Sequence, residues 1–190
     1  DIGFQFRSDF RTVSTSLTYR NPVQSRLARS FLLGLFTTKS DNFGGVRIED
    51  RYSWFGETEF LNFWQVELFG SFRPQTKNDR LLRGGPIALS PRSLTNRIEV
   101  RSDPRKPIVG EVSFSRTTDA SGFLSSEAAI GLDWRPAPQA RVRMGPSFQS
   151  QRVTGQYVQT VASPSASSTS AARYVFANVE QYEARLDTRL

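Results

Sequence analysis

The chain of 190 residues contains no cysteine, no histidine and a single methionine, Met144. Each absence removes chemistry. Without cysteine there is no disulfide framework, no thiolate nucleophile and no zinc site of the usual kind. Without histidine, Ser-His-Asp and Cys-His catalysis cannot be built, and the commonest general base near neutral pH is missing. Neither enzymatic activity nor a metal or cofactor is expected. Long apolar runs are also lacking. The stretch "SFLLGLFTT" (30–38) is about half of what a membrane-spanning helix needs, and the charge-free run 153–172 is too rich in serine and proline. A helical membrane protein is excluded, whereas a β-barrel is not. The sequence opens on "DIGFQF" with no secretory signal and no initiator, so it reads as a processed protein or an excised piece.

The charge that is present is basic, with 25 Lys and Arg against 18 Asp and Glu, and nearly all of the cations are arginine. A basic chain invites a nucleic-acid reading. Here, however, single arginines alternate with carboxylates, as in "VRIEDR" (46–51) and "NRIEVRSD" (96–103). That spacing suits ion-pair ladders better than a phosphate-binding stripe, so no nucleic-acid partner is expected. Arginine also holds anions in a fixed fork of hydrogen bonds, which lysine does less well.

Helical periodicity is nearly absent and alternation with period two recurs. In 59–74 one set of positions carries Phe60, Trp64, Val66, Leu68 and Phe72, while the other turns polar through Gln65, Glu67 and Arg73. In 138–151, Val142, Met144 and Phe148 oppose Arg141, Arg143 and Gln149. The pattern predicts nine strands near 9–19, 25–38, 45–55, 60–73, 94–103, 107–118, 123–135, 138–152 and 173–190. Several exceed the five or six residues usual in a sandwich and match the nine to eleven of a membrane-spanning strand.

The expected connections are 21–24, 40–44, "GETE" (56–59), 74–93, 103–106, 119–122, 136–138 and 153–172. In a meander, alternate connections emerge at opposite ends. Both long ones, 74–93 and 153–172, then fall at the same end, as in outer-membrane barrels with short periplasmic turns and long outward loops. Trp54 and Phe55 are expected beside a short turn, with Phe60, Trp64 and Trp134, as an aromatic belt. The fold expected is an all-β, antiparallel up-and-down transmembrane barrel, or part of one.

Five motifs, in order, carry a resemblance. They are "NDRLLRGGP" (78–86), "SDPRKP" (102–107), "RPAPQARVRMGPSF" (135–148), "QYVQTV" (156–161) and "ARYVFANVEQ" (172–181). Together they resemble the C-terminal barrel of a bacterial outer-membrane family of unassigned function, in which a domain like a family-9 carbohydrate-binding module precedes the barrel. The resemblance implies location in a bacterial outer membrane and a link to carbohydrate binding or import. The carbohydrate-binding domain would lie upstream, so no sugar-binding residue carries over. An odd strand count and a chain end, "LDTRL", without a terminal aromatic imply that residues 1–190 form one region of a larger barrel.

An apolar face turned to lipid leaves the opposite face as a lumen. Its expected lining is Arg47, Glu49, Arg51, Glu67, Arg97, Glu99, Arg101, Arg141, Arg143, Glu183 and Arg185, together with Gln65, Glu111, Glu127, Asp133, Asp187 and Arg189. Two roles compete for these charges. Either cross-strand pairing satisfies them in a plugged lumen, or an arginine excess lines a pore for an oligosaccharide or small anionic solute. The expected partners are lipid, such a solute, and the remainder of the barrel from the same chain or from other subunits. A soluble all-β module binding a polyanion or polysaccharide through an arginine-rich face is the alternative. The cluster "NDRLLRGGPIALSP" (78–91) lacks the Lys-Ser/Thr and following helix of a phosphate loop. Arg80, Arg83, Gly84 and Gly85 are therefore placed in a loop at the pore mouth, whose arginines either pin it to lumen carboxylates, the favoured role, or meet solute or surface polysaccharide.

Overall fold

The computed structural model describes residues 8–82, 86–162 and 172–190. Arg83, Gly84 and Gly85 of the expected mouth loop lie outside them, as does most of "VASPSASSTSAA" (161–172).

The described residues contain no helix. Nine strands form one antiparallel sheet: β1 (Phe10–Asn21), β2 (Ala28–Asn42), β3 (Arg47–Phe60), β4 (Gln65–Arg73), β7 (Ser93–Arg101), β8 (Ile108–Asp119), β9 (Leu124–Ala137), β10 (Ala140–Ala162) and β11 (Ala172–Arg189). They follow chain order, each paired with the next. The connection between β4 and β7 carries a small hairpin of its own, β5 (Thr76–Asn78) with β6 (Ala88–Ser90).

The all-β meander of nine strands agrees with the periodicity, but the sheet is open and does not close into a barrel. β1 is bonded to β2 alone and β11 to β10 alone. Eight antiparallel steps separate the two edge strands, so they run in the same direction.

β2 is shifted three to four residues along the chain from the expected 25–38, and two larger differences separate the structure from the sequence pattern. "GETE" (56–59) is strand: Gly56 and Thr58 continue one face of β3, Glu57 and Glu59 the other. The reversal falls at 61–64, where Phe63 takes a left-handed φ of 64° and Asn62 Oδ1 accepts the Trp64 amide. Glycine and charge simulate a turn, yet both fit a strand whose faces differ. Trp54 and Phe55 consequently sit mid-strand rather than beside a turn. The second difference concerns 153–172. From Val153 to Ala162, β10 runs past β9 and pairs with β11 alone, as an arm roughly 30 Å long. Along this arm most side chains on both faces are exposed. Alternation weakens where both faces are wet, and a bulge between Val153 and Gln156, with Gly155 at φ 69°, interrupts it further.

Almost nothing is buried. Ala28 and Val109 are the buried apolar residues among those described. The accessible surface is 13687 Å², against about 9,100 Å² expected for a compact globular protein of this mass. A single sheet has two faces and nothing here covers either.

Candidate functional site: the polar face of the sheet

Register decides what each face presents. One row across all nine strands reads Tyr19, Leu33, Gly56, Leu68, Ile98, Phe114, Ala128, Phe148 and Ala184. No charge interrupts it. Leu33, Leu68 and Phe148 are each about half exposed, at 52%, 50% and 51%. This apolar band crosses the hydrogen-bonded rows obliquely. The row containing Tyr52, Phe72 and Leu94 on β3, β4 and β7 ends in Arg152 and Glu180 on β10 and β11, ion-paired at 2.6 Å. At the other end Ile108, Trp134 and Val142 extend the band on β8, β9 and β10. Gly70 belongs to this face because the Trp54 indole lies across it, where a Cβ would collide with the ring.

The neighbouring positions form the polar face. One of its rows reads Arg20, Leu32, Glu57, Glu67, Glu99, Ser113, Ala129, Ser147 and Arg185. Hydroxyls dominate on β1, where Thr12, Ser14, Ser16 and Thr18 alternate, and Thr12 bonds Ser40 at 2.8 Å. Phe55 and Phe69 oppose each other here as well, with Phe55 stacked on Phe36 at 5.4 Å and laid across Gly34. The alternation in 59–74 places Phe69 here, because it shares parity with Glu67. The shifted turn concealed Phe55.

The charged residues anticipated for this face fall into separate groups. Near the long-connection end of β2 and β3, Glu49 meets Arg51 at 3.1 Å and accepts from Ser40 at 3.3 Å. Arg47 is not with them: a register shift between Ser40 and Asp41 sets it opposite Asp41, its partner at 2.6 Å, in the row of Arg11 on the side of Tyr19 and Leu33, so it does not line the polar face. At the centre Arg97 pairs with Glu99 at 2.7 Å, and Glu67 lies opposite both Glu57 and Glu99. On the edge strand Glu183 pairs with Arg185 at 2.7 Å. Several of these bonds join residues two apart on one strand rather than across strands, because both partners then share a face automatically. Arg80 pairs with Asp9 at 3.3 Å and Asn42 donates to Asp79 at 3.0 Å, which ties the long 74–92 connection to the start of β1 and the end of β2.

At the short-connection end the charges converge. Asp133, 8% exposed, accepts from Arg141 through Nε at 2.9 Å and also through a guanidinium NH₂, and from Arg143 Nε at 3.2 Å; Arg135 approaches to 3.6 Å. The sequence pattern placed Arg141, Arg143 and Asp133 on one face without revealing that three arginines share one carboxylate. Arg101 stands opposite Glu111, and its Nε is buried without a hydrogen-bond partner.

The turns at this end are joined by aromatic and ionic contacts. Arg105 lies 3.0 Å and Arg29 4.1 Å from the Phe63 ring centre, and Arg29 also bonds Glu59 at 2.8 Å. Arg105 forks onto Asp103 at 2.9 and 2.7 Å. This bond, above the opposing effect of burial, holds the Asp103 carboxyl at about 2 instead of its ordinary 3.8. A depressed folded pKa stabilises above the unfolded value and ceases to do so as pH falls through the folded one. An NMR titration of the side-chain carbonyl is therefore expected to give a midpoint near 2, rising toward 3.8 in Arg105→Gln.

Among the described residues no group of three or more acidic side chains is arranged to hold a metal. No protein-family model, curated protein or solved structure matches this chain.

Proposed function

We propose that the nine-stranded sheet is a membrane-spanning part of an outer-membrane β-barrel, whose polar face lines a path for a small solute. One observation carries this reading: a continuous apolar band lies on a face that no other part of the described chain covers. In water such a face is an unmet cost of about 25 cal/mol for each Å². Lipid meets it without a partner. The obliquity of the band agrees, because barrel strands tilt by 35–45° and a level lipid layer therefore crosses hydrogen-bonded rows at an angle. Aromatics stand toward both ends of the band, with Trp134 near the short connections and Tyr52 opposite Phe72 toward the long ones.

Open edges are not tolerated in hydrocarbon, so β1 and β11 must be paired there. As they run in the same direction, antiparallel closure takes an odd number of added strands, which restores the even count of bacterial barrels. Those strands come from the chain outside the nine or from other subunits. The resemblance to a barrel family linked to carbohydrate-binding domains fits an uptake role for an oligosaccharide or small anion.

The test is fractionation of the protein from bacterial cells. It should resist alkaline carbonate extraction, require detergent, and migrate differently on gels before and after boiling. Recovery from aqueous buffer as a monodisperse species would overturn this reading in favour of a soluble module with an arginine-rich face.

A further inference from the structure

The short-connection end of the polar face contains a recess of about 450 Å³ whose lining includes Arg101, Arg143, Arg189, Glu111, Asp133 and Asp187. Its floor is low because two adjacent strands both carry glycine there. Gly131 follows Glu111 in one row, and Gly145, one strand further, faces Asp187. Neither glycine is demanded by tight packing, since the nearest neighbour of an added Cβ would be 3.4 Å away at Gly131 and 3.7 Å at Gly145.

The donors around this floor exceed their acceptors. A guanidinium offers five N–H groups, yet Arg143 engages Asp133 through Nε alone, and Asp133 is already bonded by Arg141. Arg189 makes no ion pair among the described residues, and it sits directly opposite Arg143 across the β10–β11 pair. The buried Arg101 Nε has no partner. An unsatisfied buried donor is costly, and each one in a native structure calls for an explanation.

We propose that this recess binds a small oxyanion, a carboxylate or phosphate group carried by the passing solute, through Arg101, Arg143 and Arg189. Glu111 and Asp187 then accept from hydroxyls on the same solute, which makes a hydroxylated acid or sugar phosphate a better fit than a bare anion. This assignment rests on reading the polar face as the lumen. It narrows the solute to one whose charge is negative and places its contact at the end away from the long loops.

Equilibrium dialysis of the detergent-solubilised protein against radiolabelled inorganic phosphate and a sugar phosphate tests it. Saturable binding of the two, stronger for the sugar phosphate, is expected. Arg189→Gln, at an exposed position on β11, should weaken binding about tenfold, and Arg101→Gln at least as much. Arg189→Lys should restore only part of it. Lys77→Gln, at the opposite end, should leave binding unchanged. Absence of saturable binding, or equal affinity in Arg189→Gln, Arg101→Gln and the parent, overturns the proposal. Protein that extracts with detergent from membranes yet fails to bind defeats this inference alone. Protein that binds phosphate but needs no detergent supports the site and defeats the membrane reading.

Discussion

Leu68→Arg is expected to abolish stable membrane insertion. Leu68 sits midway along the apolar row that crosses the whole sheet, and it is half exposed with no described residue over it. An arginine facing lipid at the midplane costs about 2–4 kcal/mol, a large share of the stability of a domain of this size. The measurement is the heat-modifiable fraction in isolated outer membranes, together with the urea midpoint of tryptophan fluorescence. Ser115→Arg, two strands away and in the adjacent row on the polar face beside Arg97 and Glu127, should be tolerated. If the chain is instead a soluble module, Leu68→Arg is a surface change within about 0.5 kcal/mol and improves solubility. The two substitutions thus separate a face that touches lipid from one that touches water.

Asp133→Asn is expected to destabilise the short-connection end by about 3 kcal/mol. Removing one partner of a buried pair typically costs 3–5 kcal/mol, because the remaining charge is left uncompensated. The lower end applies because Arg135, Arg141 and Arg143 keep part of their side chains in water, at 42–47% exposure. The urea midpoint of the variant reads the loss. Arg141→Gln in the same background should recover part of it, since neutralising one arginine relieves the repulsion among the other two. An unchanged midpoint in Asp133→Asn would show that solvent alone satisfies all three arginines.

Most of this architecture is legible in the chain because strand alternation is local. Leu124, Ala128, Ile130, Leu132 and Trp134 fall on one face of β9 whatever β8 and β10 do. Turn positions are less legible. Glycine and acidic residues at 56–59 look like a reversal, but an amphipathic strand accommodates Gly56 on one face and Glu57 on the other. The true reversal rests on Phe63, whose left-handed backbone no β-forming aromatic would advertise. Likewise the arm from Val153 to Ala162 loses its alternation where it leaves the sheet, so its strand character comes from pairing with β11.

Residues expected to share a face mostly do so where the structure describes them, Arg47 being the exception, but their grouping depends on register. Asp133 gathers Arg141 and Arg143 because Arg143 lies opposite it across the β9–β10 pair and Arg141, two residues along, shares that face beside a register shift between Ala140 and Val142. No sequence spacing announces that irregularity.

By itself, the sequence determined the absence of thiol and imidazole chemistry, the all-β class, the nine long strands and the separation of apolar from charged faces. Each follows from composition or from a two-residue period within one strand. Only the tertiary structure decided which charges are neighbours, that the sheet stands open, and that its edge strands run the same way. Those depend on pairing between strands far apart in the chain, where one slipped residue exchanges the two faces.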